Sequence, residues 1–179
     1  MSTLKPALER IVVGMDFGPP STEAARWVAR TFAPEAELLL THAIDLRAMD
    51  FVAVPSASAS RSGKDLQAVT QQLHELARSF VAHGTYRAEV REDQAARAIL
   101  AVATESGADL IVVGPHGGRE SPRGIGTTAE RLIRTSPVPV LLVTHPRARS
   151  PKQLLVPVDG GGLTHLVLDW ADFIARRNQ

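Results

Sequence analysis

The chain is expected to be an α/β protein built on a parallel sheet covered on both faces, and three observations predict this. Short apolar runs alternate with longer segments of helical periodicity along most of the chain. The runs are rich in Val, Ile and Leu without polar alternation, as strands buried on both faces require. From Ala108 to Val143, a strand pattern, a glycine-rich loop, a helix pattern and a second strand pattern follow one another.

Composition sets the bounds. The 179 residues suit one domain of ordinary size with some chain left over. Apolar residues make up 44% and aromatics 4%, so the core should be mainly aliphatic. A net charge of +1, from 20 basic and 19 acidic residues, offers no broad electrostatic footprint for nucleic acid or an anionic membrane. Cysteine is missing, which removes disulfides, thiolate metal sites and a cysteine nucleophile. The opening MSTLKPALERIVVG has no apolar signal segment and no stretch reaches membrane-spanning length, so a cytoplasmic location is expected.

Ile11 to Met15 reads as the first strand and ends at Asp16. Ser21 or Thr22 can cap a helix whose apolar positions are Ala24, Ala25, Trp27, Val28 and Phe32. Leu38 to Ile44 is a second strand, and residues 47–63, with SASAS and no periodicity, read as a surface loop. Lys64 to His83 carries one stripe of Leu66, Val69, Leu73, Leu76, Ala77 and Phe80, with Gly84 as a stop. Tyr86, Ala88 and Val90 alternate as a short strand; Asp93 can cap the next helix, whose inner face is Ala96, Ile99, Leu100 and Ala103, ending at Gly107. Leu110 to Val113 is the fourth strand, and a loop with glycines at 114, 117, 118, 124 and 126 follows it. Thr127 and Glu130 have capping-box spacing, Pro137 ends that helix, and Val138 to Val143 is the fifth strand.

A glycine loop between a strand and a helix aims backbone N–H groups and a positive helix end at one spot, which suits a phosphate. The same glycines also serve where only a tight turn is needed. In parallel sheets ligands lie beyond the carboxyl ends of the strands, where the strand order reverses. With strands one and four adjacent there, Asp16 and the glycine loop face one crevice, and Asp16 suits a ribose hydroxyl or a base amine. The other reading of Asp16 is that it caps its own βα turn.

After THPRARSP at residues 144–151, a linker by composition, the opening pattern returns. A shift of 143 positions sets Val156 on Val13, Asp159 on Asp16, Gly161 on Gly18 and Trp170 on Trp27. The division expected is therefore a domain at 1–146, then a linker and partial repeat at 147–179. One βα unit cannot bury its own apolar faces. Leu154–Val158 is expected to add to a sheet edge, its own or a partner's, while a helix from Leu166 to Arg176 covers a face; a frayed remnant is the other possibility.

These residues resemble the universal stress protein family. Ile11–Asp16 and Leu154–Asp159 match its early strand ending in Asp, and His42-Ala43-Ile44-Asp45 is similar to the end of its second strand. Gly114-Pro115-His116-Gly117 and Gly126-Thr127 match the two ends of its glycine loop. The likeness covers residues 9–144 and again 152 to about 176. It implies a three-layer, adenine nucleotide alpha hydrolase-like fold, with a five-stranded parallel sheet in the order 3-2-1-4-5 and often a homodimer. It also implies adenine-nucleotide binding, ATP or AMP with or without magnesium, at Met15, Asp16, Ala43, Gly114, His116, Gly117, Gly126, Thr127 and Thr128. Two departures bear on the phosphates: eight residues rather than nine separate Gly117 from Gly126, and Ala129 stands where a second hydroxyl residue is usual.

Catalytic classes are weighed by what is missing. A phosphoacceptor receiver domain needs an acidic pair near strand one and a lysine after strand five; this chain has Glu9-Arg10 and Thr144-His145. Gly-Lys-(Ser/Thr) and Gly-x-Ser-x-Gly are both missing. The histidines at 42, 74, 83, 116, 145 and 165 form no metal-spaced pair on one element, and only His116 sits in the loop. No catalytic residue is assigned, and slow ATP hydrolysis is the most that is expected. Two functions stay open: a stress or signalling protein in which nucleotide occupancy alters the dimer or the choice of protein partner, and a nucleotide-independent interaction module.

Overall fold

The computed structural model describes residues 8–32, 36–45, 62–81, 85–116, 124–144 and 153–177. These fall into two compact units, residues 8–144 and residues 153–177. The first contains β1 (Arg10–Met15), α1 (Pro19–Thr31), β2 (Glu37–Ala43), α2 (Ser62–Arg78), β3 (Tyr86–Arg91), α3 (Ala95–Ser106), β4 (Leu110–Val113), α4 (Thr127–Thr135) and β5 (Val140–Leu142). The second contains α5 (Thr164–Arg177).

The five strands pair in the order β3-β2-β1-β4-β5, all parallel, as the family resemblance implies. Register sorts the core. Val12 lies beside Leu39 and Ile111, and these three join Ile99, Val102, Ala129 and Leu132 in the layer under α3 and α4. Alternate positions such as Ile11, Val13, Leu38 and Val112 point to the other face, where right-handed crossovers place α1 and α2. A Cβ on Gly14 would stand 2.7 Å from Ile99 Cδ1 and 3.0 Å from Val113 Cγ1, so the missing side chain lets α3 seat on the sheet. At the opposite strand end, Asp109 Oδ2 accepts the N–H groups of Glu9 (2.8 Å) and Arg10 (3.0 Å), fixing where β1 starts beside β4.

Helix starts differ from the sequence expectation. The residues preceding α1, α3 and α4 are Gly18, Gln94 and Gly126, and none makes a side-chain cap. Ser21 lies inside α1 with its hydroxyl on Asp16; Pro19 and Pro20 open that helix and have no N–H to cap. Asp93 Oδ1 instead accepts from Gln94 N–H (2.6 Å) and from Arg97 Nε (2.9 Å). Thr127 is the first residue of α4 rather than its cap, and Glu130 pairs with Arg134 at 3.3 Å. Gly107 does end α3, with φ 63°. β5 is only three residues long, because Pro137 and Pro139 beside it donate nothing to a ladder. Residues 47–61 of the expected surface loop, and Gly84, lie outside the described residues, while Ser62 and Gly63 at its end belong to α2.

In the C-terminal unit, residues 153–159 form no strand, contrary to the expectation for Leu154–Val158. Pro157 in the middle of it lacks the N–H that a ladder needs. The turn after it makes the same two bonds as the turn after β1. Asp159 Oδ1 accepts Gly161 N–H at 2.7 Å and the Thr164 hydroxyl at 3.5 Å. Asp16 Oδ1 accepts Gly18 N–H at 2.9 Å and the Ser21 hydroxyl, at the same offsets of two and five residues.

Candidate nucleotide site

The strand order reverses between β1 and β4, and the chain leaves both strands at the same edge of the sheet. Val13 is level with Val112, so Asp16 after β1 and Gly114 after β4 emerge side by side. A Cβ on Gly114 would lie 3.0 Å from the carbonyl carbon of Pro20 and 3.2 Å from its oxygen, so only glycine passes the start of α1 here. The loop that follows closes on itself. Gly126 N–H donates to the Pro115 carbonyl at 2.6 Å, and a Cβ on Gly126 would stand 3.1 Å from His116 Cα.

This staple sets Gly114, His116, Gly126, Thr127 and Thr128 around the N-terminus of α4, beside the end of β1. Gly126, as the cap, offers no side-chain acceptor, so the N-terminal end of the helix keeps its positive character for an anion. Gly117 lies outside the described residues. Ala129, 3% exposed, packs with Ile99 and Leu132, so its methyl group belongs to the core.

Asp16 is exposed, and it caps its own βα turn, the second of the two readings given above. Its Oδ1 caps the turn through Gly18 N–H and the Ser21 hydroxyl, while Oδ2 makes no hydrogen bond among the described residues and stays open to the crevice edge. Met15 is buried and contributes its carbonyl rather than its side chain. That carbonyl accepts from His42 Nδ1 at 2.8 Å, and because a carbonyl only accepts, Nδ1 carries the hydrogen. Ala43, half-buried, closes β2 next to His42 and pairs with Arg91. The hydrogen bond and charge of Asp93, with Asp45 adding to them, hold the Arg97 guanidinium above its ordinary pKa, so that cation is engaged by carboxylates.

Sequence reasoning treated His42 as a surface or packing residue and assigned Phe17 no role. Their rings meet at 4.7 Å between centroids with a 52° tilt. The contact crosses from the end of β1 to the end of β2, so it becomes visible only once Met15 is known to lie level with His42. Among the described residues no three His, Asp or Glu side chains are grouped to hold a metal ion, and no helix is long and apolar enough to cross a membrane. The hydroxyl–carboxylate pair Ser21–Asp16 has its hydroxyl buried and used in the turn.

A five-stranded parallel sheet in the order 3-2-1-4-5 with helices on both faces defines a three-layer α/β class of fold, whose ligands lie at the switch point between β1 and β4. The family model for the universal stress protein family matches residues 7–144, and the chain belongs to that family. No curated protein matches the chain. Among solved structures it is similar to the hypothetical protein MJ0577, at 22% identity over 78% of this chain and 97% of that one, with a TM-score of 0.66. A universal stress protein in complex with cAMP is 23% identical over 77% of this chain and 98% of that one, with a TM-score of 0.57. A member of the family from Burkholderia pseudomallei is 22% identical over 77% and 97%, with a TM-score of 0.55.

Proposed function

We propose that the crevice between the ends of β1 and β4 binds an adenine nucleotide, ATP or AMP, with magnesium accompanying the triphosphate. The observation that carries this reading is the pairing of the two anchor points: the open Oδ2 of Asp16 for ribose or base, and the stapled loop with the α4 N-terminus for phosphate. The likeness to a universal stress protein complexed with cAMP supports the same ligand class. Met15, Ala43, Gly114, His116, Gly117, Gly126, Thr127 and Thr128 form the rest of the site. Occupancy then alters the homodimer or the choice of protein partner in a cytoplasmic stress or signalling role.

The test is to purify the protein natively, denature it, identify any released nucleotide by chromatography with mass detection, and titrate nucleotide-free refolded protein calorimetrically with ATP, ADP and AMP. Near-stoichiometric adenine nucleotide or a clear heat of binding is expected. An empty protein with no heat for any of the three ends the reading.

A second reading is favoured by the C-terminal unit. Ile11 and Val12 are fully buried, whereas Leu154 and Leu155, at the same places in the repeat, are 40% and 96% exposed. We propose that residues 147–179 are a linker and partial repeat whose apolar face docks on a second copy of this chain.

A further inference from the structure

Phe17 is the one described non-glycine residue with a positive φ, 61°. It stands between Asp16 and Gly18 in the turn that leaves β1, in a region that L side chains enter only against steric resistance. The chain contains its own control. Asp159, Gly160 and Gly161 repeat that turn with the same Oδ1 to N–H bond, and there the middle position is glycine at φ 73°. The turn therefore needs no side chain at this position and is better served without one. A phenyl ring retained under backbone strain at the mouth of a ligand crevice has a reason beyond the turn.

The ring's surroundings indicate the reason. Phe17 lies against His42, whose own ring is held by the Nδ1–H bond to the Met15 carbonyl. Both rings are only half-buried, so part of the pair faces solvent. They sit at the carboxyl ends of β1 and β2, on the far side of Asp16 from β4 and its loop. On the nucleotide reading proposed above, with phosphate at the loop and a hydroxyl at Asp16, the remaining end of the ligand is directed toward the β2 side, where this pair lies.

We propose that the Phe17–His42 pair is a stacking platform for a planar heteroaromatic base, making the site selective for nucleotides over sugar phosphates and polyphosphates. The proposal rests on the nucleotide reading above and adds the residue that enforces it. Stacking on an aromatic face tolerates any base, so adenine and guanine nucleotides both gain from Phe17, while ligands without a base do not.

The experiment titrates wild-type protein, Phe17→Gly and Phe17→Tyr with ATP, AMP, ribose 5-phosphate and tripolyphosphate, and records a thermal melt of each variant. Glycine suits the turn, as Gly160 shows, so Phe17→Gly should melt no lower than wild type within a few degrees. Its affinity for ATP and AMP should fall at least tenfold, with ribose 5-phosphate and tripolyphosphate unchanged within twofold and Phe17→Tyr close to wild type. Phe17→Gly binding ATP within twofold of a wild type that itself binds overturns the platform and leaves the nucleotide reading standing. A uniform loss across all four ligands also overturns the platform, because it marks Phe17 as a prop for the loop. A wild type that binds neither ATP nor AMP overturns the nucleotide reading and the platform with it.

Discussion

Asp16 gives Oδ1 to its own turn and, in the proposed function, Oδ2 to the ligand, and two substitutions separate these tasks. Asp16→Asn keeps an oxygen for Gly18 N–H and the Ser21 hydroxyl but removes the charge. It should cost under about 1 kcal/mol of stability while weakening nucleotide binding, because an amide oxygen still accepts. Asp16→Ala leaves Gly18 N–H and the buried Ser21 hydroxyl without that acceptor, and should cost about 1–3 kcal/mol as well as binding. Urea melts alongside calorimetry distinguish the two; equal stability loss in both variants would mean that the turn bonds contribute nothing. Gly14 is a packing position with no part in the ligand site. Gly14→Val forces a side chain against Ile99 and Val113 and should destabilise by about 1–3 kcal/mol without changing affinity per folded molecule. The turn cap at Asp16 was legible from its place at a strand end, whereas the strain at Phe17 was not, since a positive φ leaves no mark in composition and aromatic residues rarely take it.

The glycine loop and α4 act as one element because the Gly126–Pro115 bond joins the loop's ends. Gly126 has φ −74° and ψ 158°, which any residue adopts, so its need for glycine comes from the close approach of His116 alone. Gly126→Val should push these ends apart, leaving α4 formed and reducing ATP affinity about tenfold, or ~1.4 kcal/mol, with adenosine affinity held. Parallel titrations with ATP and adenosine check this; an equal fall for both would move the phosphates away from the loop. The strands were legible because Ile11–Met15, Leu38–Leu40 and Leu110–Val113 are aliphatic runs that only a doubly covered sheet can bury. Their order was not legible from periodicity and came from the family resemblance. Helix starts misled, because Ser21, Asp93 and Thr127 are good capping residues whose oxygens are used elsewhere or lie past the start. That choice depends on tertiary neighbours such as Asp16.

Across the whole molecule, the same βα pattern occurs in two different settings. In residues 8–144 the pattern has strands on both sides of β1, so Ile11, Val12, Ala24 and Ala25 are wholly buried. In residues 153–177 the matching positions Leu154, Leu155, Val167 and Leu168 are 40%, 96%, 38% and 49% exposed. Exposed apolar surface costs about 25 cal/mol per Å² relative to burial, so a patch of this kind favours association. On the docking proposal above, the surface that would fit it is a parallel sheet edge, and a second copy of the chain has one at β3 and one at β5. Leu155→Glu tests this without trimming the chain. At 96% exposure the substitution disturbs no packing within its own unit, so the melting temperature of dilute protein should stay within a few degrees of wild type. Sedimentation velocity of the full chain should then change from a dimer to a monomer, because a charge at a docked apolar position must be desolvated without a partner. Removal of residues 150–179 should give the same monomer. Unchanged sedimentation in both would assign the dimer, where one exists, to the first unit and leave the C-terminal segment without a role in it. A lower melting temperature with unchanged mass would show docking within one chain, and the homodimer proposal would give way to that.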